Sequence, residues 1–239
     1  MAKKKVTKQD EQLESVNEAL SRSEQWIEEN QKMLTIVVSV IVAVVFAVIA
    51  INQWVIKPNA IAASNENAQA EVYFQQAEQA ALQGDTAKAA EMYRKALEGD
   101  EADCIGFVEV ADNYSNQQAE LAALYAGICY AELGQFDEAA EYLQKFSAKD
   151  VTVGPAATMR LGDVYVELGD LEKAAQAFEK AAEADNEMIA PLAMSKAARV
   201  YLKLEDKASA KRVLEALKKQ YPGTQEAAEA DKYLPMCAE

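Results

Sequence analysis

Apolar residues fall along this chain in three patterns, and the densest lies near its start. From Met33 to Ile56 no charged residue occurs, and Lys32 and Lys57 stand at the two ends. As a helix this stretch would extend ~36 Å, slightly beyond the roughly 30 Å hydrocarbon core of a bilayer. Its centre, Leu34 to Ile51, holds thirteen Leu, Ile, Val or Phe residues, which favour insertion by up to ~4–8 kcal/mol. Trp54 falls where an interfacial aromatic belongs. The segment predicts a transmembrane helix over 33–56. A buried core helix of this length would need apolar neighbours that the rest of the chain does not supply. A cleaved signal peptide could use Ala60-Ile61-Ala62 as its processing site, but the apolar run is too long and too much chain precedes it.

The second pattern is sparser. Leu13, Val16, Leu20 and Ile27 recur at three-, four- and seven-residue spacing, one apolar stripe on a charged helix over 1–32. Such a helix can lie on the membrane or pair weakly with a copy of itself, or it can dock on a membrane partner. Six basic residues precede the span, and Lys57 is the only one close behind it. The positive-inside rule then predicts a cytoplasmic N-terminus, with the large C-terminal part across the membrane.

The third pattern repeats. After a polar, alanine-rich stretch over 57–69 that reads as a linker, paired helical patterns are separated by Gln83-Gly84-Asp85, Leu133-Gly134-Gln135, Leu168-Gly169-Asp170 and Leu204-Glu205-Asp206. First helices carry a small residue (Ala77, Gly127, Gly162, Ala198), and in the last three units a tyrosine follows (Tyr130, Tyr165, Tyr201). Second helices repeat a small residue (Ala89, Ala139, Ala174, Ala210) and then a large one (Tyr93, Leu143, Phe178, Leu214). Small against large at fixed spacing lets two helices interlock without voids. The first interval is 50 residues and the next two are 35 and 36, so an extra helix is expected near 104–118. A polar-faced capping helix over 224–234 would close the array.

With these residues in view, the chain resembles the tetratricopeptide-repeat family. Leu161-Gly162, Tyr165, Gly169-Asp170, Ala174, Phe178 and Ala181 form the clearest unit, and Pro222 takes the unit-closing proline position of the last. The fold expected is all-α: a single transmembrane helix followed by a right-handed tetratricopeptide solenoid over 70–234. The order of parts, together with Trp26-Ile27-Glu28-Glu29-Asn30-Gln31-Lys32 before the span, is similar to the YfgM-like family of ancillary Sec-translocon subunits. That resemblance implies an adaptor in the bacterial inner membrane with a periplasmic repeat domain. Its partners would be translocon subunits, a membrane-anchored periplasmic chaperone and emerging client chains. A scaffold for another envelope complex, or a self-associating repeat protein, is the alternative.

In tetratricopeptide domains the first helices line a groove. The positions this implies here are Phe74, Leu121, Leu124, Ile128, Met159, Asp163, Leu192, Ser195, Arg199 and Leu202. Several are apolar without an evident packing duty, which favours a binding surface, unless the extra helix or the cap covers them. Some members clamp a C-terminal carboxylate with Lys and Asn, but the corresponding positions hold Phe74, Glu78, Leu124, Tyr125 and Ile128. Arg160, Lys196 and Arg199 could form a small basic spot or could simply be solvated.

Composition narrows the chemistry. The net charge of −15 belongs wholly to the part after Lys57, since acids and bases balance at seven each up to and including that residue. Such a domain repels phosphate backbones, so nucleic acid is not an expected partner. The chain has no histidine, its three cysteines (Cys104, Cys129, Cys237) show no C-x-x-C spacing, and its glycines are isolated. No catalytic, metal-binding or cofactor site is therefore expected, and no small-molecule substrate.

Overall fold

A computed structural model of the chain describes residues 26–100, 105–147, 151–184 and 186–238. Most of the proposed N-terminal helix, with Leu13, Val16 and Leu20, lies outside these residues, as does Cys104. The described residues are helical throughout apart from short turns and one isolated bridge, Gly99 to Ile105. They divide into two compact units, with the boundary between Pro58 and Asn59.

The first unit contains α1, Gln31–Ile51, followed by a π-helical turn, Asn52–Ile56. No residue of α1 is buried, although thirteen of its 21 side chains are Val, Ile, Leu or Phe. It lies within the one helical stretch long and apolar enough to cross a membrane among the described residues.

The second unit begins at Asn59, within α2, Lys57–Leu82. Residues 57–69, expected as a linker, are helical. Alanine is the strongest helix former, and this stretch also has somewhere to pack. Ala63, Asn67 and Ala70 are buried. The Asn67 side-chain amide donates to the Gln118 carbonyl at 2.8 Å, and the Tyr114 hydroxyl donates to Glu66 at 3.2 Å. Polarity hid a docked face only one residue in three or four wide.

Helix pairs then follow in order: α3 (Thr86–Glu98), the short α4 (Phe107–Asn113), α5 (Gln117–Glu132), α6 (Phe136–Lys145), α7 (Val153–Leu168), α8 (Leu171–Ala182), α9 (Ile189–Lys203), α10 (Lys207–Gln220) and α11 (Gln225–Tyr233), with a 3-10 turn over Leu234–Cys237. The helix α4 falls inside the 104–118 segment. Its Phe107 and Val110 are fully buried in a core that includes Tyr93, Leu97 and Ala122.

Four identical turns join the members of each pair. In each, an N–H reaches the carbonyl five residues back: Asp85 to Ala80, Gln135 to Tyr130, Asp170 to Tyr165 and Asp206 to Tyr201, at 2.9–3.0 Å. The preceding residue bonds three back and sits in the left-handed region, which is the glycine-closed helix end. Gly84, Gly134 and Gly169 take that position at φ 79°, 75° and 78°, whereas the fourth turn uses Glu205 at φ 59°. Asp85, Asp170 and Asp206 then cap the next helix by accepting from Lys88 N, Lys173 N and Ser209 N. The Lys173 ammonium and the Ser209 hydroxyl, ahead of those backbone bonds, hold the Asp170 and Asp206 carboxyls below their ordinary range.

Within a pair, the small and large positions meet as their spacing requires. A Cβ added to Gly162 would lie 2.6 Å from the Phe178 ring, and one on Gly127 2.6 Å from Leu143. The bulk of the second helix occupies the notch left in the first.

Candidate functional site

The first helices of the last three units, α5, α7 and α9, are tied to one another by charge. Arg160 on α7 pairs with Glu132 on α5. Lys196 on α9 donates to both Asp163 oxygens at 2.6 and 2.7 Å. These contacts span 28 and 33 residues, about one repeat, so equivalent faces of neighbouring units carry opposite charges. The same step joins Arg212 to Glu179, and Lys145 to Asp112 at 3.1 Å, elsewhere in the array.

Two hollows open along this ladder and share Asp163. One, of about 330 Å³, is lined by Ala131, Glu132, Phe136, Arg160, Asp163, Val164 and Glu167. The other, of about 230 Å³, is lined by Asp163, Val166, Phe178, Lys196, Arg199, Val200 and Lys203. Its apolar lining is Val166, Phe178 and Val200, and the Lys196 ammonium stands 5.6 Å from the centre of the Phe178 ring. Lys196 is neutralised by Asp163. Arg199 and Lys203 have no ion-pair partner among the described residues. Two uncompensated cations therefore border an apolar hollow in a chain of net charge −15. A larger hollow of about 570 Å³ lies between α8, α9 and α10, where Arg212 and Glu179 pair with each other. None of the ten expected groove residues lines it.

The ten residues are distributed unevenly. Asp163 and Arg199 meet at the smaller hollow. Leu192 is exposed on α9, and Arg199 is exposed as well. The other seven have packing duties. Phe74 belongs to an aromatic cluster, with ring centres 5.0 Å from Tyr125, 6.0 Å from Tyr93 and 6.5 Å from Phe107. The extra helix thus covers Phe74, through Phe107. Leu124 is buried, and Leu121 and Ile128 pack beside it against a core of Ala139, Leu143, Ala157 and Val164. Ser195 is buried, while Met159 and Leu202 pack against the core formed with α8, α10 and α11.

Sequence reasoning passed over Lys203 and Val166. Lys196, Arg199 and Lys203 stand at three- and four-residue steps on α9, so a cationic row was visible. What was not visible was that Asp163 neutralises one end of it. That pairing needs the register between units.

Burial and hydrogen bonding raise several tyrosine pKa values. The Tyr93 hydroxyl, which donates to Glu78, and the Tyr142 hydroxyl, which donates to Asp112 at 2.9 Å, are both pushed well above the ordinary range, by burial first and then by the carboxylate. Burial likewise pushes the Cys129 thiol far up, which keeps it unreactive. Neither Cys129 nor Cys237 is in a disulfide. Among the described residues, no group of three or more acidic or sulfur ligands is placed to hold a metal ion.

Comparison with known proteins agrees with this geometry. Tetratricopeptide-repeat family models match residues 70–95, 124–189 and 165–230. Among solved structures, a kinesin light chain with nearly identical TPR-like repeats, from Podosopora anserina, is 14% identical. The match covers 72% of this chain and 86% of that one, with a TM-score of 0.55. The MamA protein is 21% identical over 70% of this chain and 89% of its own, with a TM-score of 0.45. At 14% identity the likeness to the kinesin light chain is one of fold. No curated protein sequence matches the chain.

Proposed function

We propose, from the premise that this chain is a tetratricopeptide-repeat protein, that it is a membrane-anchored adaptor which holds other polypeptides and performs no chemistry of its own. The observation that carries the reading is the hollow between α7 and α9. Arg199 and Lys203 are unpaired there, beside Val166, Phe178 and Val200. A cationic edge over an apolar floor suits a polypeptide segment that presents an apolar side chain next to a carboxylate. Recognition then falls to Arg199, Lys203 and Leu192, Asp163 neutralises Lys196 beside them, and the other seven expected groove residues hold the fold.

The helical stretch near the N-terminus, long and apolar enough to cross a bilayer, supports anchoring by one span. The excess of basic residues ahead of it supports a cytoplasmic N-terminus and repeats on the far side. Combined with the order of parts, these features favour an ancillary Sec-translocon subunit of the bacterial inner membrane, bringing a periplasmic chaperone or emerging chains to the channel. Purification in mild detergent followed by mass spectrometry should recover channel subunits and a membrane-anchored, prolyl-isomerase-type chaperone. Recovery of neither would overturn the translocon role. Recovery of another envelope complex in their place would assign a scaffold role.

A further inference from the structure

The outward face of α2 differs from that of α10 in carrying an uncharged row. Ile61, Asn65, Ala68, Val72, Gln75, Gln79 and Leu82 follow one another at alternating four- and three-residue steps, and all are exposed. Not one is charged. By contrast, α10 exposes Lys207, Lys211, Arg212, Glu215 and Lys219. The only charged residues between Asn59 and Leu82 are Glu66, Glu71 and Glu78. Glu66 and Glu78 accept hydrogen bonds from Tyr114 and Tyr93 of the same domain.

We propose that this row is a self-pairing surface, along which α2 of one copy packs in parallel and in register against α2 of a second copy. The spacing is that of a two-stranded coiled-coil seam. A chain of net charge −15 repels its own copies, and contact along an uncharged row escapes the direct like-charge cost that its charged faces would meet. The residue types fit a copy better than an unrelated partner. An amide side chain carries both donor and acceptor, so Asn65, Gln75 and Gln79 can each satisfy the same residue opposite, which a charged side chain cannot do. Ala68 permits close approach midway. Direction follows from the flanks. An antiparallel pair would bring the Glu71 and Glu78 edges of the two helices together, whereas a parallel pair sets Glu71 against Gln76 and Glu78 against Gln83.

The row runs ~33 Å along a helix ~10 Å wide. Its footprint of about 330 Å² per copy is well short of the roughly 800 Å² of a standard stable interface. Pairing is therefore weak between free molecules and is made effective when copies share a bilayer; in this respect it rests on the membrane-anchoring reading above.

The test uses the full chain in membranes, with Cys104, Cys129 and Cys237 replaced by Ala and one new cysteine at a time. A disulfide requires Cβ atoms about 3.5–4.5 Å apart. Under mild oxidation, Ala68→Cys and Val72→Cys should give covalent dimers, and Gln69→Cys and Gln76→Cys should give several-fold less. Adding Val72→Glu to Ala68→Cys should reduce the dimer about tenfold, since like charges would then face each other; its exposed position leaves the fold intact, which circular dichroism checks. Equal yields at all four positions, no dimer in membrane-inserted chain, or a yield unaffected by Val72→Glu would overturn the pairing. A chain that fractionates as soluble would instead overturn the anchoring.

Discussion

Glu205 is the one described residue other than glycine with positive φ. It closes its turn with the same two hydrogen bonds as Gly84, Gly134 and Gly169, so the fourth unit keeps the geometry of the others against its own side chain. The left-handed conformation costs roughly 1–2 kcal/mol for a residue with a Cβ. Glu205→Gly should therefore stabilise the repeats by about 1 kcal/mol and raise their melting temperature by about 3 °C, as calorimetry would show. The tyrosine–carboxylate pairs act in the opposite sense at high pH. Burial and Glu78 raise the folded pKa of Tyr93, as burial and Asp112 raise that of Tyr142, while an unfolded tyrosine titrates near ~10. Their contribution is complete below that pH and is lost as the pH climbs from there towards the folded values. Thermal stability should fall steeply above pH ~10, with tyrosinate absorbance appearing together with unfolding, and Tyr93→Phe should lessen the slope.

At the scale of elements, α2 separates what the sequence made legible from what it did not. The turns, the small-to-large notches and the period were visible because each rests on one residue type at one spacing, as Gly162 against Phe178 does. The docking of 57–69 was not, because its buried face consists of Ala63, Asn67 and Ala70, residues that look the same in a solvated linker. Ala63 is fully buried, so Ala63→Leu should overpack the contact and cost about 1–3 kcal/mol in chemical denaturation. A free linker would tolerate the change. The expected groove residues divide for a related reason. First-helix residues such as Leu124 and Ser195 are spent on contacts between neighbouring helices. Which residues remain free depends on the register between units, seen in the Lys196–Asp163 pair. Periodicity within a helix does not reveal it.

At the scale of the whole molecule, an apolar helix accompanies the proposed interaction surface. Replacing Val40 and Val44 with lysine would add roughly 5–7 kcal/mol at the centre of the span, comparable with what its apolar residues contribute. Fractionation should then move the chain from membranes to the soluble pool with its repeats still folded. The adaptor role itself is tested most directly by placing a photoreactive amino acid at Arg199, at Leu192, or at the exposed Glu172 on α8 in living cells, and identifying the adducts by mass spectrometry. Arg199 and Leu192 should capture the same protein partner, and Glu172 should not. Equal capture from all three positions, or none from Arg199 and Leu192, would contradict the adaptor role.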